Sequence, residues 1–276
     1  MNIQRFASFS AADEGGNPAG VVLSDTMPEV SEMQRVAAEV GYSETAFAAP
    51  EKDGFRVRYF APESEVPFCG HATIALGAAL AETHGEGNYP LYLNNAEISV
   101  EGSKETNLYS AALISPPTKS EALDGGTLAR ILALFGYSED DLNTDLPPAR
   151  IHGGADHVVI ALNSREALAR MDYDLAAGAD LMRELGLVTI MLVHQISDNA
   201  YNVRNAFASG GVLEDPATGA AAAAFSGYLR DLGIVTDGKL SLRQGEDMQS
   251  PSDITTEITP EKGAPIRVSG TVRVIS

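Results

Sequence analysis

One pattern occurs twice in this chain and constrains its fold more than any other feature. The first copy runs Val57-Arg58-Tyr59-Phe60, an acidic turn, Cys69-Gly70-His71-Ala72-Thr73, and then a helix rich in Ala and Leu. The second runs Val203-Arg204-Asn205-Ala206-Phe207, an acidic turn, Asp215-Pro216-Ala217-Thr218-Gly219, and then an Ala helix. In both, a strand carrying Arg leads through Glu to a tight turn and a small-residue helix. Two similar half-molecules are expected, each presenting a helix N-terminus; the competing reading is coincidence in Ala/Gly-rich sequence. The length of 276 residues suits two domains of ordinary size.

Along the chain, IQRFASF reads as a strand, DEGGNPAG as a turn and VVL as a second strand. PEVSEMQRVAAEVG, over residues 28–41, has the apolar spacing of a helix closed by Gly41. ETAFAAP and FRVRYFAP read as strands, and HATIALGAALAETHG as a buried helix ending at Gly85. Strands are expected at YPLYLN, AEISVEG and SAALIS. SPPTKSE, residues 115–121, is the candidate linker, because proline continues neither a helix nor a ladder. Beyond it come a helix at LARILALFG, strands at HVVIAL and VTIMLVHQI, and the repeat's second copy. The closing PIRVSGTVRVIS alternates like a strand that returns to the first domain's sheet.

The charge excludes several classes. Acidic residues number 38 against 19 basic, a formal net charge of −19. Without Lys/Arg clusters neither nucleic acid nor an anionic membrane is an expected partner. No apolar run reaches the roughly 20 residues of a membrane span, and the first residues lack the pattern of a secretory signal. The single cysteine, Cys69, allows no internal disulfide, and cytoplasm is the expected compartment. HExxH, paired CxxC, GxSxG, GxGxxG and the P-loop are absent and the five histidines are scattered, so no metal site or cofactor is expected. Chemistry carried by side chains alone remains.

The two turns are the candidate anion sites. A helix N-terminus exposes unpaired N–H groups and a positive partial charge, and glycine lets a ligand approach the backbone. The N–H groups near Gly70–His71 and Gly219–Ala220 would grip a carboxylate without a lysine. For Asp215 the competing reading is structural: Asp-Pro makes a good N-cap with proline at N1. Cys69 and His71 flank a Gly turn, where a helix N-terminus would favour thiolate and a neutral imidazole. Glu44 interrupts the apolar segment YSETAFAAP. A buried carboxylate there would suit taking and giving a proton; an edge-strand glutamate facing solvent, or a cap after Ser43, is the alternative.

Four motifs together resemble the PhzF-like phenazine-biosynthesis family: Gly16-Asn17-Pro18-Ala19-Gly20, Ser43-Glu44-Thr45-Ala46-Phe47, the run RYFAPESEVPFCGHATIALG from Arg58 to Gly77, and Glu214-Asp215-Pro216-Ala217-Thr218-Gly219. Their order and spacing match over essentially the whole chain. The resemblance implies a diaminopimelate-epimerase-like α+β fold, with two pseudo-symmetric domains, each a curved, mostly antiparallel sheet wrapped around a central helix. The domains would be 1–115 plus about 260–276, and 116–259, with the active site in the cleft between them. It further implies a homodimer, no cofactor, and a small carboxylated substrate. Glu44 would move a proton between carbons, assisted by His71 and Asp215. Gly70, His71, Gly219 and Ala220 would bind the substrate carboxylate, and Asn17 would shape or contact the site. The related epimerases use two opposed cysteines; here Cys69 has no partner cysteine and is read as a helix-start residue.

Two departures weigh on substrate identity. Where the family commonly has Ser, this chain has Ala220, which removes a hydroxyl donor. The GRPS-like segment is replaced by Met248-Gln249-Ser250-Pro251-Ser252, without the arginine. The expected function is a cofactor-independent isomerase of a small carboxylate, with the phenazine precursor itself in question. The alternatives are an amino- or hydroxy-acid racemase or epimerase, and a non-catalytic small-anion binding protein on the same fold.

Overall fold

The computed structural model describes residues 1–105 and 108–275. The chain divides into two compact units, Met1–Ile114 with Ser269–Ser276, and Ser115–Val268. Only the last few residues return to the first unit; residues 260–268 stay with the second.

The first unit contains β1 (Gln4–Ser8), β2 (Asn17–Leu23), α1 (Val30–Val40), β3 (Thr45–Glu51), β4 (Gly54–Phe60), β5 (Glu65–Val66), α2 (Gly70–His84), β6 (Gly87–Tyr92), β7 (Glu97–Glu105) and β8 (Leu108–Ile114). The second contains β9 (Lys119–Ala122), α3 (Gly125–Phe135), β10 (Ala149–His152), β11 (Asp156–Leu162), α4 (Arg165–Ala169), α5 (Leu175–Leu185), β12 (Thr189–Ser197), β13 (Ala200–Ala206), β14 (Glu214–Asp215), α6 (Gly219–Asp231), β15 (Gly238–Gln244) and β16 (Ser252–Ile258). The final strand, β17 (Arg267–Val274), pairs with β1 and β8.

The repeat seen in sequence is a repeat of topology. In the first unit β1–β2 is antiparallel, β2–β3 parallel, β3–β4 and β4–β5 antiparallel, β4–β6 parallel and β6–β7 antiparallel. In the second, β10–β11, β11–β12, β12–β13, β13–β14, β13–β15 and β15–β16 repeat that series of orientations. The parallel pairs require helical crossovers: α1 joins β2 to β3, while α4 and α5 join β11 to β12.

Each unit's strands pack around one helix, α2 in the first and α6 in the second. In α2 every residue from His71 to Ala81 is buried, and in α6 every residue from Ala221 to Arg230. A helix apolar on all sides belongs inside a core, and its small side chains let strands approach closely. A Cβ on Gly102 of β7 would lie 2.2 Å from the Gly77 carbonyl oxygen of α2, so that crossing tolerates only glycine. α1, by contrast, buries a single stripe of Met33, Val36 and Ala37 under Val22, Phe47 and Phe60.

Three expectations are corrected. The predicted turn DEGGNPAG is shorter: the chain reverses where φ is positive, at Ala12, Gly15 and Gly16, and Asn17–Gly20 already lie in β2 opposite β1. The predicted linker 115–121 ends early, because prolines stop a ladder only where they stand, and Lys119–Ala122 pair with β10. Asp215 is not the N-cap of α6. It lies in β14, opposite Asn205, and the ladder keeps it extended; Thr218 occupies the cap. The helix α5 and the strands β15 and β16 fall in stretches for which no element was named.

Candidate active site

The first unit assembles a titratable cluster around the start of α2. Cys69 is the N-cap residue, in extended geometry, and its side chain caps nothing. Its carbonyl instead accepts the Thr73 N–H at 3.0 Å and the Thr73 hydroxyl at 2.7 Å. His71 follows in the first turn, and its own carbonyl accepts the Ser8 hydroxyl at 2.7 Å. Ser8 pairs with Asn17 across β1–β2, which places the buried Asn17 one strand from the residue that holds the turn.

The His71 ring meets different chemistry at its two nitrogens. Nδ1 lies 3.3 Å from the Cys69 thiol sulfur. Nε2 lies 3.3 Å from the Ser43 hydroxyl and 3.4 Å from Glu44 Oε2. Glu44 stands just before β3, with its side chain 15% exposed. It is neither a solvent-facing glutamate nor a cap. Its Oε2 is buried without a hydrogen-bond partner, and 3.4 Å exceeds the roughly 2.7–2.9 Å of a charge-assisted bond. The arrangement leaves a buried carboxylate oxygen next to an imidazole without a hydrogen bond to it.

The second unit builds its turn from a connected network of hydrogen bonds. Thr189 Oγ1 donates to Asn205 Oδ1 at 3.0 Å, so it must accept from His157 Nδ1 at 2.8 Å. His157 therefore carries its proton on Nδ1; burial pushes its pKa down to about 3 and keeps it neutral. Asn205 donates to Gln244 Oε1 at 3.2 Å, which also accepts the Thr218 N–H at 3.2 Å. Gln244 Nε2 donates to the Asp215 carbonyl at 2.6 Å and to Thr218 Oγ1 at 3.1 Å. The Thr218 hydroxyl donates to Asp215 Oδ2 at 2.5 Å. From His157 through Thr189, Asn205, Gln244 and the Thr218 hydroxyl the donors run to the Asp215 carboxylate, while the Thr218 N–H donates back to Gln244 and the Gln244 amide also holds the Asp215 carbonyl. Gly219 then opens α6, with Ala220 behind it.

Each unit also ties its acidic turn down with one ion pair. In the first, Arg58 grips Glu65 at 2.8 and 2.5 Å and holds that carboxyl below its ordinary range. In the second, buried Arg204 grips Glu214 at 2.6 Å and donates to the carbonyl of Ala169 at 2.9 Å.

Thus Glu44, Cys69 and His71 converge in the first unit, with Asn17 one strand away. Asp215, Gly219 and Ala220 lie at the second unit's turn. Gln244, Asn205, Thr189 and His157 went unremarked in the sequence. They are polar residues spaced along strands, and nothing in their local pattern shows that they join.

The model of the family described as phenazine biosynthesis-like protein matches residues 6–275. The chain belongs to that family. A Deinococcus radiodurans relative named an uncharacterized isomerase is 32% identical over 273 residues, covering 91% of this chain and 85% of the relative. A Mesorhizobium japonicum relative with the same description is 31% identical, covering 95% and 92%. The isomerase class of these relatives is the class of this enzyme. The Bacillus anthracis phenazine biosynthesis protein of the PhzF family superposes with a TM-score of 0.87 at 22% identity, covering all of this chain and 98% of the other. A hydroxyproline epimerase from Agrobacterium vitis superposes at 0.65 with 12% identity, covering 99% and 89%. These two likenesses establish the α+β epimerase-like fold.

Proposed function

We propose that this enzyme moves a proton between carbons of a small carboxylated substrate, without a cofactor, and that Glu44 is the acid–base group. The observation that carries the reading is Glu44 Oε2, buried, unpartnered and 3.4 Å from His71 Nε2. Glu44 takes a proton from an activated carbon and returns it to another. His71 faces the same oxygen and stabilises whichever form Glu44 holds. The N–H groups of Gly70 and His71 at the start of α2 bind the substrate carboxylate and oppose charge developing next to it. Asp215 and the N–H groups of Gly219 and Ala220 are assigned a supporting role in substrate binding and proton transfer.

The test is solvent deuterium incorporation followed by mass spectrometry. A panel of small unsaturated, hydroxy and amino carboxylates, including the phenazine precursor, is incubated in heavy water with wild type and Glu44→Gln. Incorporation that needs Glu44 supports the reading; incorporation at full rate in Glu44→Gln sinks it. His71→Ala is expected to slow exchange about tenfold, a smaller loss than removal of the base, and unchanged kinetics would take His71 out of the mechanism.

A second reading, a racemase or epimerase, draws on Cys69, whose sulfur lies beside His71 Nδ1 as a thiolate base would. The same assay separates the two. A racemase labels one carbon and inverts it with the skeleton unchanged, whereas the isomerase relocates hydrogen between carbons.

A further inference from the structure

The second unit carries a cleft of about 680 Å³ at the end of α6 remote from Asp215 and Gly219. α6 spans 13 residues, which makes it about 20 Å long, and its last residue, Asp231, lines the cleft. Strands β9 and β10 build one wall. Lys119 pairs with His152 and Glu121 with Arg150 across that ladder, so the four side chains share a face. Lys262 lines the same cleft, held near β9 by the Thr118 N–H, which donates to the Gly263 carbonyl at 3.1 Å. We propose that this cleft binds the phosphate group of a small phosphorylated molecule, with Lys119 and Lys262 as its main cationic contacts.

The cations of this cleft are unspent. The chain holds five lysines. Lys52 and Lys239 lie 3.9 and 3.5 Å from Glu97 and Glu257, and Lys104 lies over the Tyr109 ring. Lys119 and Lys262 have no such partner among the described residues. A further cation stands behind the wall. Arg230 is 5% exposed. It donates to the Thr118 hydroxyl at 2.6 Å and to the carbonyls of Ala264 and Thr259 at 3.1 and 3.4 Å, and its Nε is buried without a partner. Those partners are all neutral. A buried guanidinium that meets only neutral groups is costly, and an anion in the cleft beyond Thr118 lowers that cost.

The groups that would repel an anion are engaged. Asp156 lies 2.8 Å from Arg150 Nη2 and 2.7 Å from His152 Nδ1. Asp231 accepts the Ser120 hydroxyl through Oδ2, and its Oδ1 is buried, out of a ligand's reach. The Glu121 side chain is 73% exposed. The last carbonyls of α6, on Tyr228, Leu229 and Arg230, accept the N–H groups of Leu232, Ile234 and Gly233. With Arg230, four cationic side chains stand against three carboxylates, in a chain whose net charge is −19. The free cations are lysines, point charges that suit a phosphate, whereas the guanidinium fork that suits a planar carboxylate is committed, Arg150 to Asp156 and the Leu185 carbonyl. The volume lies within the roughly 300–1,000 Å³ of small-molecule sites, which leaves room for the rest of a phosphate ester.

Glycerol 1-phosphate, inorganic phosphate and succinate are each titrated into the intact protein by calorimetry, in a phosphate-free buffer of low ionic strength. Wild type is expected to bind one equivalent of glycerol 1-phosphate, more tightly than inorganic phosphate and more tightly than succinate. Lys119→Gln and Lys262→Gln should each weaken binding of the ester about tenfold, the worth of one charge-assisted hydrogen bond. The double variant should weaken it about a hundredfold. Lys52→Gln, in the first unit, should leave affinity unchanged.

Both lysines are exposed, so the variants should fold; circular dichroism and a thermal melt check each, and either single variant suffices if the other is not folded. Failure of wild type to bind the ester, equal affinity in the folded cleft variants, or loss in Lys52→Gln instead would overturn the proposal. Succinate binding more tightly than both phosphates would overturn it too, by assigning the cleft to dicarboxylates. The readout needs no turnover, so it fails or succeeds independently of the isomerase reading.

Discussion

The two units start their central helices with the same backbone plan and opposite chemistry. At the start of α2, Cys69, His71 and Glu44 lie within contact distance, and Glu44 keeps a buried oxygen unbonded. At the start of α6, Thr218, Asp215 and Gln244 bond to one another, and the chain of donors runs back to His157. Corresponding positions explain the contrast. Thr45 faces Gly20 across β2–β3, and its hydroxyl finds no partner. Thr189 faces His157 across β11–β12, and its hydroxyl bonds on both sides. A satisfied buried network is rigid, whereas an unsatisfied buried carboxylate is expensive to keep and is retained where chemistry uses it. One unit ties its turn down with hydrogen bonds, and the other leaves a buried carboxylate oxygen unbonded.

The sharpest way to break this contrast is Glu44→Gln. Removing a positioned general base is expected to cost about 10²–10⁴-fold in deuterium exchange, with melting temperature little changed. A similar loss in Asp215→Asn would make the two turns chemical equals.

The ion pairs offer a second comparison. Arg204 is buried with Glu214, their side chains 10% and 5% exposed, whereas Arg58 and Glu65 are 18% and 26% exposed. Arg204→Met leaves a buried carboxylate unpaired and should cost about 3–5 kcal/mol in urea unfolding. Arg58→Met should cost about 1 kcal/mol, since solvent reaches its partner. Equal losses would mean that burial does not distinguish the pairs.

Gln244→Leu interrupts the donor chain at its branch point, stranding the Thr218 N–H and the Asn205 amide. Each unsatisfied buried group is worth about 1–3 kcal/mol. Hydrogen exchange should quicken at residues 216–222 and remain unchanged around α2; uniform protection would show that the network does not hold the turn.

The smallest effect concerns pH. His157 stays neutral in the folded protein down to about pH 3, while an unfolded histidine takes a proton below about 6.5. The unfolded state therefore binds more protons in that window, and stability falls as pH falls, by up to about 1.4 kcal/mol per unit. Between pH 6.5 and 5 few carboxylates titrate, so His157→Gln should show a flatter slope there than wild type. Parallel slopes would mean that His157 is not held neutral.

Much of this architecture was legible in the sequence, for physical reasons. The Arg-strand, Glu, glycine turn and Ala helix recur because each unit packs its strands around a buried helix, and the Ala and Gly that dominate both helices let the strands approach closely. Gly41 and Gly85 mark helix ends because the chain leaves a helix there through a conformation that side chains resist. The Glu44 segment stood out because a charge among apolar residues is costly. What only the tertiary structure decided is which polar groups meet. Asp215-Pro216 has the local chemistry of a helix cap, yet pairing with Asn205 keeps Asp215 in a strand and passes the cap to Thr218. Gln244 reaches the turn only because β15 lies beside β13. Glu44, Cys69 and His71 meet because the segment leading into β3 ends beside the start of α2. Hydrogen bonds and ligand sets depend on distances of about 3 Å between residues remote in the chain, and local sequence pattern carries no record of those distances.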